Sequence, residues 1–237
     1  MSSASADQRS TRYTIVVPLL YTARTSVRQR DEVGWTRNLS ENGACLLLPE
    51  RLPLKLSLHL RLQTDGAPFG AEGQVVWAGK PGFDLVRHCI DFTRISPDNR
   101  LALRDLLRSN GHVRPAGVRL SVALLATCRC RGQARPPIQG WIADISRGGL
   151  SLRLPQALPP GTDVVVTLRS PAGPLTLVGT VVWVESSRRR TSKESIRHGL
   201  QFTLLDTAVE LALARLLTMM PRHGQPLARV EQGLRLP

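Results

Sequence analysis

The stretch Gly34–Glu50, GWTRNLSENGACLLLPE, recurs as Gly140–Gln156, GWIADISRGGLSLRLPQ. With a constant shift of 106 positions, the match extends without a gap from Gly34–Trp77 to Gly140–Trp183, and about a third of the positions are identical. A repeat of this length marks a structural unit that occurs twice. The chain of 237 residues therefore divides into two units, each of ordinary domain size.

Alternating apolar residues predict β-strands in both units. In the first unit, Leu54–Leu62 has a leucine at every second position, which places all of these leucines on one face of a half-buried strand. The second unit keeps apolar residues at the matching inward positions Val164, Val166 and Leu168. Each unit contains roughly six such short strands between turn-forming residues, which is typical of a small closed antiparallel barrel.

One helix is predicted to follow each barrel. The first begins at Ser96, a suitable N-cap, with Pro97 in the first turn, and the second begins at Asp206. We therefore predict an all-β fold with short helices, in which two tandem six-stranded antiparallel barrels are each followed by a C-terminal helix. The predicted boundaries are barrel 1 at 9–109, a linker at 110–117, barrel 2 at 118–220 and an irregular tail at 221–237.

The composition limits the classes of function. The chain carries 32 Lys and Arg against 18 Asp and Glu, a net charge of +14, and arginine suits phosphate groups and guanine edges. The four cysteines show neither a disulfide framework nor paired metal-ligand spacing, so we expect reduced thiols and no metal. The N-terminus lacks the apolar core of a signal peptide, and no apolar run approaches a membrane span. We expect a cytoplasmic protein that does not contact membranes.

A polar motif of the form [DN]xSxxG lies between two strands of each unit. Its residues are Asn38, Ser40 and Gly43 in the first unit and Asp144, Ser146 and Gly149 in the second. Such residues form tight turns, because Asn, Asp and Ser side chains bond the local backbone and glycine tolerates positive φ. About 25 residues before each motif lies a pair of arginines, Arg9 with Arg12 and Arg114 with Arg119. These upstream cations favour a ligand site over a purely structural turn.

Together these features resemble the PilZ domain family, bacterial receptors for cyclic di-GMP. The resemblance covers nearly the whole chain and rests on the motif, the apolar strand after it, the VVW strands ending at Trp77 and Trp183, the late strand His198–Phe202 and the closing helices. It implies that an RxxxR arginine pair before the first strand and the [DN]xSxxG turn together grip the dinucleotide. It also implies a binding protein without cofactor.

The resemblance implies two ligand sites. The main site comprises Arg114, Arg119, Asp144, Ser146, Arg147 and Gly149, and a weaker site comprises Arg9, Arg12, Asn38, Ser40 and Gly43. The second unit is favoured because Asp144 offers guanine a charged acceptor where Asn38 is neutral. Arg147 also adds a cation where the first unit has Glu41.

The arginine pairs depart from the family spacing by one residue. Position 8, four before Arg12, is Gln8, and position 115, four before Arg119, is Pro115. The neighbouring arginines, Arg9 and Arg114, lie one residue too close and one residue too far. We expect this departure to affect ligand affinity more than the fold, since arginine is long.

Other matched residues are interpreted as structural. His88 and His198 occupy matched positions on late strands, and Trp35 and Trp141 adjoin the strand that enters the motif, where packing is favoured over base stacking. No nucleophile with a base, phosphate-binding loop or carboxylate cluster repeats across the two units. We therefore expect that the protein is not an enzyme.

Three functions follow in order of preference. The first is a cyclic di-GMP receptor in which the ligand orders the segment between the units and changes their relative orientation. The second is a ligand-independent interaction module that binds a protein partner in motility, secretion or polysaccharide control. Nucleic-acid binding through the net charge of +14 is the least favoured. The sequence leaves open the partner and whether the helices pair two chains into a homodimer.

Overall fold

The structure is a computed structural model that describes residues 11–24, 29–82, 84–110, 117–133, 136–170, 173–185 and 195–220. Its elements in chain order are β1 (Pro18–Arg24), β2 (Gln29–Leu39), β3 (Gly43–Leu48), β4 (Ser57–Leu62), β5 (Phe69–Ala78), β6 (Val86–Arg94), α1 (Pro97–Asn110), β7 (Leu120–Cys130), β8 (Ile138–Ser146), β9 (Gly149–Leu154), β10 (Asp163–Ser170), β11 (Gly173–Val184), β12 (Ile196–Leu204) and α2 (Thr207–Met219). The strands close into two antiparallel barrels, ordered β1-β2-β3-β6-β5-β4 and β10-β11-β12-β9-β8-β7. The predicted fold, two six-stranded barrels each followed by a helix, is confirmed.

Inward-facing apolar residues fill each barrel. The inward side chains of β4 are Leu58, Leu60 and Leu62, and those of β10 are Val164, Val166 and Leu168. The first of these strands is shorter than the sequence pattern predicts. Leu54 is 55 % exposed, because Lys55 adopts a left-handed φ of 63° that turns the chain before the strand begins at Ser57.

Both helices begin at the predicted N-caps. The backbone N–H of Asn99 donates to Ser96 Oγ at 3.3 Å, and that of Val209 donates to Asp206 Oδ1 at 2.8 Å. Helix α1 buries Leu103, Leu106 and Leu107 in the core of barrel 1. The buried leucines of α2, Leu213, Leu216 and Leu217, belong to the apolar cluster that contains the core of barrel 2.

Helix α2 also packs on barrel 1, against β1 and β2. The side chain of Trp35 is only 1 % exposed, and its Nε1 donates to the backbone oxygen of Glu210 at 3.3 Å. Val16 and Val33 of barrel 1 belong to the same apolar cluster as the core of barrel 2. The matched Trp141 of barrel 2 is 50 % exposed. The two matched tryptophans therefore differ in burial: Trp35 is buried and Trp141 is exposed.

The start of barrel 2 is bonded directly to barrel 1. The N–H of Val118 donates to Val16 O at 3.0 Å, and the N–H of Ser121 donates to Asp65 Oδ1 at 2.8 Å. Gly117 has φ +84°, and a Cβ there would lie 2.9 Å from the Val16 oxygen, so both conformation and space require glycine. Most of the predicted linker and the whole predicted tail lie outside the described residues, so those boundaries remain predictions.

The matched histidines are buried and bonded within the barrels. In each, Nδ1 donates to the carbonyl two residues earlier and Nε2 accepts from a backbone N–H of the loop after the third strand of its barrel. The contacts are His88 to Val86 O at 3.1 Å and from Leu52 N at 3.0 Å, and His198 to Ile196 O at 2.9 Å and from Leu158 N at 3.0 Å. These bonds support the structural interpretation of both residues.

The four cysteines are free thiols, as predicted. Burial raises the pKa of Cys128 to about 12, and burial together with the neighbouring Cys89 raises the pKa of Cys45 to about 11. Both thiols therefore stay protonated near neutral pH. Within the described ranges, no group of three or more His, Cys, Asp or Glu could hold a metal ion. No helix of the described chain is long and apolar enough to cross a membrane.

Replacing Trp35 and Trp141 separately tests the unequal burial of the repeat. Trp35→Ala leaves a cavity between α2 and barrel 1 and should lower the free energy of unfolding by about 3–5 kcal/mol. Trp141→Ala removes a half-exposed side chain and should lower it by about 1 kcal/mol or less. Urea denaturation followed by circular dichroism measures both. Equal losses would contradict the packing of α2 on barrel 1.

Acid should destabilise the fold through His88. Burial lowers the pKa of His88, and its Nε2 must stay unprotonated to accept the Leu52 N–H. The unfolded state then binds the proton more readily. The contribution to stability is complete above the unfolded pKa of about 6.5 and is lost as the pH falls towards the folded pKa.

The free energy of unfolding should therefore fall as the pH drops below about 6.5, and less steeply in His88→Gln. His59→Gln is the control substitution at an exposed imidazole, since 39 % of that side chain is exposed, and it should change the free energy of unfolding by about 0.5 kcal/mol or less. If His88→Gln also kept the wild-type slope, the buried imidazole would not be its source.

Candidate functional site

A β-bulge precedes the acceptor of each motif. The register between β8 and β9 shifts between Ile142 and Asp144, which leaves Ala143 as the extra residue. The register between β2 and β3 shifts in the same way immediately before Asn38. Bulges redirect the side chains that follow them. The bulge thus sets the direction of the acceptor, which in barrel 2 is 13 % exposed.

The carboxylate of Asp144 lies between two arginines. Arg119 Nη1 donates to Oδ1 at 2.5 Å, and Arg197 Nη2 donates to Oδ2 at 2.6 Å. Each oxygen therefore accepts a charge-assisted hydrogen bond. The three side chains carry one more positive charge than negative, and both guanidiniums remain about 40 % exposed. The cluster is suited to an anion that also offers hydrogen-bond donors.

Arg197 is held in place by two further contacts. Its Nε donates to Ser151 Oγ at 2.7 Å, and its Cζ lies 5.8 Å from the ring centroid of Trp183, a cation–π distance. The ring can lie across β12 only because position 199 is glycine. A Cβ on Gly199 would come within 1.9 Å of Trp183 Nε1. Arg197 is thus supported by residues from β9, β11 and β12.

The serine and glycine of each motif shape the turn. Ser146 is 1 % exposed, and its Oγ donates to Gly149 O at 3.2 Å. A Cβ on Gly149 would lie 2.2 Å from Leu200 O, so the close approach of β12 requires glycine. Ser40 and Gly43 make the matching contacts in barrel 1. Neither glycine has positive φ, so that part of the turn prediction is wrong. The glycine is explained by packing between strands.

Arg147 connects the motif of barrel 2 to α2. Its Nε donates to the carboxylate of Glu210, whose side chain is 10 % exposed. The backbone oxygen of the same Glu210 accepts the bond from Trp35 of barrel 1. In barrel 1 the charges of this contact are reversed, since Arg104 Nη2 of α1 donates to Glu41 at 3.1 Å. The turn of each barrel is therefore paired with the helix that follows it.

The matching site of barrel 1 is weaker in its contacts. Arg12 Nη1 donates to Asn38 Oδ1 at 3.4 Å. This hydrogen bond is longer than the bond between Arg119 and Asp144, and its acceptor is a neutral amide and not a carboxylate. Cys45 replaces Ser151 and Cys89 replaces Gly199. A cleft of about 380 Å³ beside this turn is lined by Thr11, Tyr13, Glu41, Arg104, Leu107 and Arg108.

The structure brings together only part of the predicted main site. Arg119 and Asp144 are in contact, whereas Arg147 is directed to α2. Arg9 and Arg114 lie outside the described residues. Arg119 also lines a cleft of about 610 Å³ at the junction of the barrels, together with Asp65 and Asp105. Arg119 therefore belongs both to the Asp144 cluster and to the domain junction.

Three side chains of the cluster were not predicted, namely Ser151, Trp183 and Arg197. Their signal lies in the differences between the two copies. Arg197 has a matched Arg87, but only the second unit provides the serine and glycine around it. The contacts that support Arg197 are therefore found at positions where the two units differ, and not in the motif that they share.

Two closed barrels, each with a polar turn beside arginines, define a tandem β-barrel protein with two candidate ligand-binding faces. The family model for the PilZ domain matches residues 6–109 and again 112–219. The chain belongs to the PilZ family and contains two tandem PilZ domains. The resemblance recognised in the sequence is thereby confirmed.

Several solved structures are similar to this chain at low identity. The motility inhibitor MotI/DgrA of Bacillus subtilis is 13 % identical, with 85 % of this chain and 94 % of that chain covered and a TM-score of 0.36. PlzA of Borreliella burgdorferi, in complex with c-di-GMP, is 12 % identical, with 88 % and 94 % covered and a TM-score of 0.36. YcgR of Escherichia coli, in complex with c-di-GMP, is 13 % identical, with 84 % and 82 % covered and a TM-score of 0.36. A comparison with curated proteins found no match.

Proposed function

We propose that this chain is a non-catalytic cyclic di-GMP effector whose main binding site is the arginine–carboxylate cluster of barrel 2. The observation that carries the proposal is Asp144, which places a carboxylate and two guanidiniums at the [DN]xSxxG turn of a PilZ domain. Guanine and phosphate are both recognised by this combination, since carboxylate accepts guanine N–H donors and arginine donates to phosphate and to guanine O6 and N7.

Asp144 retains acceptor capacity for a guanine. Each carboxylate oxygen has two lone pairs and now accepts one bond, from Arg119 or from Arg197, so a guanine that donates two N–H groups finds an acceptor site on each oxygen. An arginine that turns towards the ligand can donate to a phosphate oxygen or to a guanine edge. Arg197 stays anchored by Ser151 and Trp183, so Arg119 is the arginine that moves. We add Arg197 to the site and keep Arg114 as a prediction.

Ligand binding would be transmitted to barrel 1 by two routes. Arg119 lies between Val118 and Ser121, both of which are bonded to barrel 1. Arg147, in the motif turn, holds Glu210, which in turn accepts from Trp35. A ligand that draws Arg119 or Arg147 to itself therefore alters contacts between the barrels. This is the basis for proposing that the ligand reorients the two domains.

A second candidate is a PilZ protein that interacts with a partner without binding nucleotide. The observation that favours it is that each Asp144 oxygen already accepts a charge-assisted hydrogen bond from an arginine of the same chain. A self-satisfied cluster is a stable structural feature without any ligand. The two candidates differ in whether the protein releases heat on mixing with cyclic di-GMP.

Asp144→Asn tests the proposed site. The substitution keeps the shape of the side chain but removes its charge, so a charge-assisted bond to guanine becomes a neutral one. We expect isothermal titration calorimetry with cyclic di-GMP to show an affinity at least about tenfold lower than that of wild type. Asn38→Ala is the matched control in barrel 1 and should leave the tighter binding step unchanged.

The same titration separates the alternatives. Loss of binding in Asn38→Ala but not in Asp144→Asn would place the main site on barrel 1 and refute the assignment to barrel 2. The absence of heat with wild-type protein at millimolar ligand would favour the ligand-independent module. GTP in place of cyclic di-GMP controls for nonspecific attraction to the positive surface.

Glu210→Gln tests transmission between the barrels. It weakens the Arg147–Glu210 pair without removing bulk, so the unliganded variant should show part of the change in small-angle scattering that saturating cyclic di-GMP causes in wild type. Glu41→Gln is the control, because its partner Arg104 lies in barrel 1 on α1. Scattering profiles of wild type that do not change with ligand would argue against domain reorientation.

A further inference from the structure

The outer surface of barrel 2 carries an uncovered row of side chains, which we call the open face. It comprises Leu125, Trp141 and Arg153, which are direct neighbours across β7, β8 and β9. Leu125 is 51 % exposed and Trp141 is 50 % exposed. Leu125 and Trp141 thus present two large exposed apolar side chains at directly paired strand positions, and contiguous exposed apolar surface can mark an interaction site.

The repeat shows what kind of element fits this surface. On barrel 1 the matching row is Pro18, Trp35 and Leu47, related by the same strand pairings. That row is covered by α2, which reduces the exposure of Trp35 to 1 %. Leu47 packs against the same cluster. One copy of the surface is therefore the seat of a helix with an apolar face, and the other copy is empty within the described chain.

The charge beside the seat is reversed between the two barrels. On barrel 1, Glu32 accepts a hydrogen bond from Arg215 of α2 at 3.4 Å, and Asp31 lies next to Glu32. The matching positions in barrel 2 are Pro137 and Ile138, which have no charge. The acidic side of the seat is absent.

Two arginines, Arg129 and Arg153, lie at the open face. Arg153 occupies the position of Leu47, and the strand pairings place Arg129 where barrel 1 has Thr22. Both arginines are exposed. A helix with a basic residue at the position of Arg215, as in α2, would have no matching carboxylate at the open face, because Pro137 and Ile138 replace Asp31 and Glu32. A helix that binds this surface must carry carboxylates beside its apolar stripe.

We propose that the open face binds an amphipathic helix of a partner protein, with an apolar stripe on Leu125 and Trp141 and acidic side chains towards Arg129 and Arg153. Helix-in-groove recognition of this kind uses apolar anchors at helical spacing, with rim charges that set specificity. The open face does not include Asp144 or Arg119, but it adjoins the proposed nucleotide site, because Arg153 is the strand neighbour of Arg197. It gives the effector a place to contact the machinery that it controls.

A peptide derived from α2 provides the probe. We would synthesise residues 206–220 with Arg215→Glu, held helical by a lactam bridge on the polar face and labelled with fluorescein. The full chain should bind this acidic peptide, measured by fluorescence anisotropy, at least tenfold more tightly than the same peptide with arginine retained. Trp141→Ala and Arg153→Glu in the protein should each weaken binding at least tenfold.

Trp77→Ala is the matched control, because Trp77 is 47 % exposed but lies on barrel 1. It should leave peptide binding unchanged, and circular dichroism should show that every variant is folded. Calorimetry with cyclic di-GMP on Trp141→Ala, which leaves Arg153 and its strand neighbour Arg197 unchanged, separates this proposal from the nucleotide site.

Four results would overturn the proposal. Three concern the peptide: no binding of the acidic peptide, equal binding of the acidic and basic peptides, and binding that survives Trp141→Ala. The fourth is selective binding of a single-stranded RNA oligonucleotide, lost in Arg153→Glu, while the peptide does not bind. That outcome would assign the open face to nucleic acid.

Discussion

The packing of α2 against two barrels at once is the constraint on which the rest of the structure depends. Its leucines close the core of barrel 2, and its other side covers Trp35 of barrel 1. Because both surfaces are apolar, separating the barrels would expose them to water. The two PilZ domains are thus joined by a continuous core in addition to the segment between them. A change in the position of α2 would therefore alter contacts in both domains.

This arrangement makes the two copies unequal. The shared barrel places a polar turn, a late-strand arginine and an outer tryptophan in each domain. Only barrel 2 combines a carboxylate at the motif with the serine that bonds Arg197 and the glycine that lets Trp183 lie beside it. In barrel 1, two cysteines occupy the last two positions. Divergence at a few contact positions leaves the arginine–carboxylate cluster complete in barrel 2, whereas α2 covers the outer tryptophan of barrel 1.

The arginines of the proposed site are paired with carboxylates of the same chain. In the absence of ligand, Asp144 neutralises part of the positive potential of Arg119 and Arg197, and Glu210 does the same for Arg147. These partly buried pairs satisfy groups that would be costly to desolvate alone. Under the proposed function, a dinucleotide that rearranged these pairs would also alter the contacts between the domains.

The sequence by itself determined the two barrels, the helices and their N-caps, and the motif turns. These features follow from the local apolar periodicity, from the capping residues and from a repeat that aligns without gaps over most of each barrel. The sequence also indicated that Arg119 and Asp144 share a site, through their spacing in a recognised family. Only the tertiary structure decided that Arg197 completes the cluster, because that arginine lies on β12, 53 residues further along the chain than Asp144. It also decided that Trp35 is buried and Trp141 exposed, since identical residues in matched strands differ only in whether a helix from elsewhere in the chain covers them.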